Sequence, residues 1–237
     1  MGAYGVWRVL SAAPEEVSLD AAVAAVKQQE ASNTDAGDEA VAGNKGTDAA
    51  GDAVSLNGVW RVDSETGSFS FEESTGSFVG FRVKEELAKI GATTAVGRTD
   101  QVTGELSIDG SEIQTVSISA DLSSIVTNDS RRDSAARYAL NVKQNPTATF
   151  NLTQPLELPQ IDGSKVSVRA EGQLTVNAIT RDVNVDLDAQ LVDNTIVVVG
   201  STKVTFSDYD VTAPSAAIVL SVDDHGVVEF QLLFSRK

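Results

Sequence analysis

The chain has 237 residues, no cysteine, one histidine, and 18 basic side chains against 34 acidic ones, for a formal charge of −16. That arithmetic excludes disulfides, thiolate metal sites and catalytic thiols, leaves any imidazole chemistry to His225, and disfavours binding to a nucleic-acid backbone. The apolar share of 41 % is more than a wholly disordered chain carries, and the length suits one large domain or two small ones.

Met1-Gly2-Ala3-Tyr4-Gly5 has neither the basic nor the apolar region of a signal peptide, though a chain that had lost an export segment would read the same. Gly5-Val6-Trp7-Arg8-Val9 recurs as Gly58-Val59-Trp60-Arg61-Val62. Two copies do not make a repeat architecture, so the match is either coincidence or a sign that both segments suit one edge-strand slot. From Ser18, an N-cap residue type, to Lys27 the pattern is helical, with Leu19, Val23 and Val26 on one thin apolar face. This reads as a marginal helix ahead of a linker rather than a membrane anchor. Residues 32–57 are almost entirely Ala, Gly, Asp, Asn, Thr and Ser, and so are expected to form a flexible acidic linker. The expected division is therefore a helix and linker over 1–57, then a folded domain over 58–237.

From Gly58 onward, apolar residues alternate with polar ones. Val116, Ile118, Ala120 and Leu122 share a face, as do Phe150 and Leu152. So do Val166, Val168, Ala170, Leu174 and Val176, and then Val183, Val185, Leu187, Ala189 and Leu191. Val228, Phe230, Leu232 and Phe234 form the last such face, with Leu233 misplaced on the polar side. Period-two alternation predicts antiparallel strands with one wet and one apolar face. Asp109-Gly110, Asp162-Gly163, Asn177-Ala178 and Asp193-Asn194 supply hairpin turns. The result is an all-β fold of roughly eight strands, with helix at Glu85–Ile90 and from Arg131 to about Val142. Regular up-and-down hairpins favour a closed barrel over a sandwich.

Catalytic signatures are missing: the sequence has no GxSxG, GxGxxG or Walker A pattern. Asp223-Asp224-His225-Gly226 resembles a carboxylate–imidazole pair but reads better as a polar turn. Ser207-Asp208-Tyr209-Asp210 reads as a solvated strand end rather than a calcium site. Asn128-Asp129-Ser130 and Asn151-Leu152-Thr153 match the glycosylation sequon, which occurs often by chance. The uncharged stretch Val211–Val222 contains Pro214 and is shorter than the ~18 residues of a membrane span. Arg131 and Arg132 either serve an anionic head group through forked hydrogen bonds or start a helix and pair with Asp129 and Asp133. The apolar face is the remaining candidate site, because an eight-stranded barrel either fills its interior or encloses one small ligand.

Several motifs in order resemble the YceI-like family. They are Phe78-Val79-Gly80-Phe81-Arg82-Val83-Lys84, Val96–Thr99 with Val102–Leu106, Arg131-Arg132-Asp133, Asn145-Pro146-Thr147-Ala148-Thr149-Phe150, and Gly172–Arg181. The resemblance covers about residues 58–237, and the Val96–Thr99 and Asp223–Gly226 segments look most like actinobacterial members. It implies a lipocalin-like antiparallel barrel, preceded by a flexible segment, that binds a polyisoprenoid or similar amphiphilic lipid. It also implies an extracytoplasmic protein, periplasmic or cell-surface, with residues 1–57 as a stalk beyond a membrane anchor. Three departures stand out: Asn145 replaces the family tyrosine, Ala135 and Ala136 occupy its histidine region, and Leu140-Asn141-Val142 replaces an aromatic cluster.

The expectation is a non-enzymatic lipid carrier or store with no cofactor and no nucleic-acid partner. Its walls are Phe81, Val83, Leu106, Ile118, Leu122, Phe150, Leu152, Leu174, Val185, Leu187, Phe206, Phe230 and Leu232, with Arg131 and Arg132 as head-group contacts. The rival readings are an extracytoplasmic protein-docking module with a filled core and an enzyme built on Asp224 and His225.

Overall fold

A computed structural model describes residues 13–35, 55–159, 163–214 and 218–236. In chain order its elements are helix α1 (Leu19–Asp35), β1 (Gly58–Val62), β2 (Phe78–Leu87), β3 (Gly91–Thr99), β4 (Val102–Asp109), β5 (Glu112–Asp121) and β6 (Val126–Thr127). Then come α2 (Asp133–Ala139), β7 (Thr147–Leu152), β8 (Leu156–Glu157), β9 (Val166–Val176), β10 (Ile179–Val192), β11 (Thr195–Thr205) and β12 (Val219–Ser235). The earlier copy of the repeated pentapeptide, Gly5–Val9, lies outside the described residues.

The strands pair in the order β1-β4-β5-β7-β9-β10-β11-β12, and β12 returns to β1. All these pairings are antiparallel, so eight strands close a ring. The closing seam is short: only Arg61 opposite Ser235 and Val62 opposite Phe234. Closure satisfies the edge hydrogen bonds that an open sheet leaves exposed. The β2–β3 hairpin, with β6, extends the sheet from the other part of β12.

Turn chemistry fixes the register. Asn177 and Ala178 both have positive φ (51° and 60°), as a type I′ turn requires, and they join β9 to β10 with Ile179 opposite Val176. Gly110-Ser111, one residue on from the expected Asp109-Gly110, and Asp193-Asn194 are also two-residue connections, with Asp109 opposite Glu112 and Val192 opposite Thr195.

Two local expectations are corrected. Glu85–Ile90 is the end of strand β2 and its turn, not helix, because Glu85–Leu87 pair with Gly91–Thr93. Asp223–Gly226 is not a turn either: β12 runs straight through it, bulging away from β2 between Val222 and Gly226 while His225 stays opposite Thr205 on β11. The helix expected from Arg131 is shorter, with a tight turn over Ser130–Arg132 followed by α2.

A second layer lies outside the barrel. Leu19, Ala22, Val23 and Val26, at helical spacing on α1, pack against Val192, Val197, Val199 and Leu233 on the outer face. Burying a Leu or Val contributes about 1.5–3 kcal/mol each, so this helix is held by packing rather than by its own propensity. The docked helix accounts for Leu233, whose position on the polar side broke the alternation: it is fully buried beneath α1. It also explains why Thr195–Gly200 on β11 is buried on both faces.

The chain entering α1 is clamped by an ionic cluster. Glu229, 1 % exposed, accepts Arg82 Nε at 2.6 Å and Arg98 Nη2 at 2.8 Å. The same guanidinium groups donate to the backbone oxygens of Pro14 and Glu15, and Arg98 also reaches Phe71 O and stacks 4.5 Å from the Phe78 ring centre.

Candidate functional site

The inner faces of the ring strands enclose a cavity of about 170 Å³. Aliphatic and phenylalanine side chains dominate its lining. Thr149, Ser164, Gln190 and Thr202 are the polar exceptions. Two of these direct their hydrogen bonds away, Thr202 Oγ1 to Asn184 O and Gln190 Nε2 to Gly163 O. Among the described residues no buried side-chain polar atom lacks a partner, so the lumen does not call for a polar ligand group.

Nine of the thirteen expected wall residues line this cavity: Leu106, Ile118, Phe150, Leu152, Leu174, Val185, Leu187, Phe230 and Leu232. The other four lie elsewhere for identifiable reasons. Phe81 and Val83 share the inward face of β2 with the lining residue Val79, but sit further along the hairpin, Phe81 across from Gly97. Leu122 is buried in a tight turn after β5, where its N–H donates to Pro146 O. Phe206 starts the turn after β11 and packs with Tyr209 and Val211 behind Leu174, Val183 and Val228, forming a floor. Asn177 ties this end together: its Nδ2 donates to Tyr209 O, and its Oδ1 accepts from Asn141 and Asn145 at 2.9 Å. Asn145, which replaces the family tyrosine, thus has a structural partner at the closed end.

The opposite end is the mouth. Leu56, Ile113, Leu156, Leu158 and Gln190 are half-buried there and Ser164 is exposed, beside the Asp109-Gly110 and Asp193-Asn194 turns. Sequence reasoning left Leu56 in the linker and missed Ile113, Leu156 and Leu158, which fall at irregular strand ends without alternation. Val116, Val166, Val168, Ala170, Val228 and Phe234 carried the alternation signal and also line the lumen.

Two glycines shape the wall. A Cβ on Gly200 would lie 2.5 Å from Phe230 Cζ, and one on Gly172 would lie 2.3 Å from Phe150 Cζ. Each ring therefore lies across the backbone of a neighbouring strand, in space that only glycine leaves open.

The polar candidates are placed apart from the lumen. Arg132 pairs with the buried carboxylate of Glu85, and the side chain of Arg131 lies outside the described part of the structure. Asp224 accepts both the Ser207 hydroxyl (2.6 Å) and the Ser207 backbone N–H (2.9 Å), which hold its carboxyl below the usual range. His225 Nδ1 is 3.4 Å from Thr205 Oγ1. The two side chains are thus engaged with different neighbours on an exposed outer surface. No group of three or more His, Asp or Glu able to hold a metal occurs among the described residues, and no described helix is long and apolar enough to cross a membrane.

A closed antiparallel barrel with an apolar lumen, one floored end and one mouth defines the class of protein. Residues 60–234 match the YceI-like domain family, and the chain belongs to that family. A UPF0312 protein of Pseudomonas aeruginosa is 29 % identical over 118 residues, 48 % of this chain and 56 % of the relative. The alignment thus spans little more than half of that relative. Among solved structures, a polyisoprenoid binding domain from Saccharophagus degradans implicated in plant cell wall breakdown superposes with a TM-score of 0.54. It is 19 % identical, covering 68 % of this chain and 94 % of that one. Burkholderia cenocepacia BcnA gives 0.53 at 17 % identity, covering 73 % and 98 %. At such identities the likeness establishes the fold.

Proposed function

We propose that the barrel binds the hydrocarbon part of a polyisoprenoid or similar amphiphilic lipid, as a non-enzymatic carrier or store working outside the cytoplasm, near a membrane. The observation that carries this reading is the lumen: a cavity walled mostly by branched aliphatic side chains, with two of its four polar residues bonded elsewhere. Family membership and the polyisoprenoid-binding neighbour support the same reading. Affinity would come from apolar burial at roughly 25 cal/mol per Å², less the cost of ordering the chain.

The size of the lumen sets a condition. At about 170 Å³ it is close to the ~150 Å³ engineered cavities that stay dry and accept a benzene-sized guest. The resting interior therefore holds a short segment of hydrocarbon. A longer chain enters by swinging wall side chains aside or by leaving part of its length at the Leu56–Leu158 mouth.

Native mass spectrometry of gently purified protein, with and without added prenyl alcohols of increasing length, tests the proposal. The expected result is a one-to-one adduct. It should be lost in Ala189→Phe, which fills the lumen at a stability cost of about 1–3 kcal/mol. A ligand-free mass throughout, with no uptake of any prenyl chain, overturns the proposal and favours the protein-docking reading.

A further inference from the structure

We propose that the β1 position of the barrel has two alternative occupants in the same chain: Gly58–Val62, which fills it here, and the identical Gly5–Val9.

The slot selects by side chain and register. Trp60 points inward, 2 % exposed, and packs with Leu106 and Phe234, while the exposed Arg61 lies 3.6 Å from Glu105. The backbone pairs with β4 from Gly58 to Arg61 and with β12 at Arg61 and Val62. Gly5-Val6-Trp7-Arg8-Val9 supplies the same side chain at every one of these positions. A strand is specified by the pattern it presents to its neighbours, and this slot cannot tell the two copies apart from within.

Chain direction and reach also match. β1 is antiparallel to β12, with Val62 opposite Phe234, so the chain leaves the slot toward lower β12 numbers. In that direction lies Glu229, and the Arg82 guanidinium that binds Glu229 also binds the backbone oxygen of Pro14. Phe234 to Glu229 is five residue steps, and so is Val9 to Pro14. Each is about 17 Å when extended, so the chain between Pro14 and the earlier copy matches in length the run of β12 between the clamp and the slot. A tether this short holds its segment at an effective concentration in the ~mM range, which favours exchange within one chain over exchange between two.

The flanks explain why Gly58–Val62 holds the slot at rest. Asp63 follows it, 8 % exposed, and accepts hydrogen bonds from the backbone of Glu65 and Thr66 and from the Thr66 hydroxyl. After the earlier copy the corresponding residue is Leu10, which cannot make that turn. Before it, Ala3 stands where the later copy has Leu56, whose carbonyl accepts Trp60 Nε1–H and whose side chain lines the mouth. Exchange would therefore withdraw Leu56 from the mouth and leave the smaller Ala3 in its place.

The full chain has no cysteine, so a pair of introduced thiols reads the slot directly. Val59 is opposite Ser107, and the equivalent pair for the earlier copy is Val6→Cys with Ser107→Cys. Under mild oxidation we expect an intramolecular 6–107 disulfide in a minor fraction of monomer. Its yield should rise roughly tenfold or more when Trp60→Ala empties the competitor's anchor, and should vanish with Trp7→Ala. Trp60→Phe offers a gentler competitor if Trp60→Ala does not fold. The proposal is overturned by absence of the disulfide in every background, by bridges formed only between two chains, or by a yield indifferent to Trp7→Ala.

Discussion

Glu229 is a charge in a place where a charge is costly. Its carboxylate is buried on the outer face of β12 and depends entirely on Arg82 and Arg98 for its solvation. Replacing it leaves two guanidinium groups confined with only backbone oxygens as partners. Glu229→Ala is expected to lower stability by about 3–5 kcal/mol in a urea titration. The exposed pair Arg169–Asp186 has similar geometry, yet its loss should be barely measurable. None of this was legible from residue type, because in the strand pattern Glu229 stands where a solvated side chain belongs. What buries it is chain from more than 200 residues earlier. Phe150 and Phe230, by contrast, were legible as wall residues, since their place depends only on strand alternation.

At the scale of the element, α1 marks the limit of sequence reading. Its apolar face is thin, with Leu19, Val23 and Val26 the visible members, and taken alone it predicts a marginal helix. Of its partners Val197, Val199 and Leu233, only Leu233 stood out in the sequence, as an exception to alternation. Only the fold brings the two sets together. Glu30, on α1, has its titration displaced at this interface. Burial, with the neighbouring Asp193 carboxylate, pushes Glu30 up to about 7 from a usual 4.5. A carboxyl whose folded value is raised destabilises the folded form as it ionises. The penalty is absent below about 4.5, grows as pH rises, and is complete above about 7. Amide exchange in α1, corrected for intrinsic rate, should therefore show weaker protection at pH 8 than at pH 5.5. Glu30→Gln should flatten that dependence. The barrel strands were easier to read, because period-two patterns and tight turns are local properties. The β2–β3 end was misread as helix because a run of charged and aliphatic residues at Glu85–Ile90 suits either state until its pairing partner is known.

At the scale of the whole molecule, the closed all-β architecture and most of the lining residues were legible in the alternation of the strands, while the second layer and the mouth came only from the structure. The reason is physical. A barrel's inside is written in each strand separately, whereas its outer coverings and its openings depend on segments distant in sequence or irregular in form. The charge of −16 sits on the outward faces and on the stretch before β1, leaving the lumen almost purely apolar.

The outer helix has one further consequence. Residues 36–54 join two pieces that are each fastened to the barrel independently: α1 by its apolar face and its Gln29 Oε1, which accepts Gly67 N–H, and β1 by its strand pairing. Covalent continuity between the two pieces is therefore dispensable once the fold has formed. A chain cut between them should elute as a single particle and separate into two fragments only in denaturant. The same complementarity would let a peptide of residues 13–35 restore the solubility of a barrel made without them, by covering Val197, Val199 and Leu233 again.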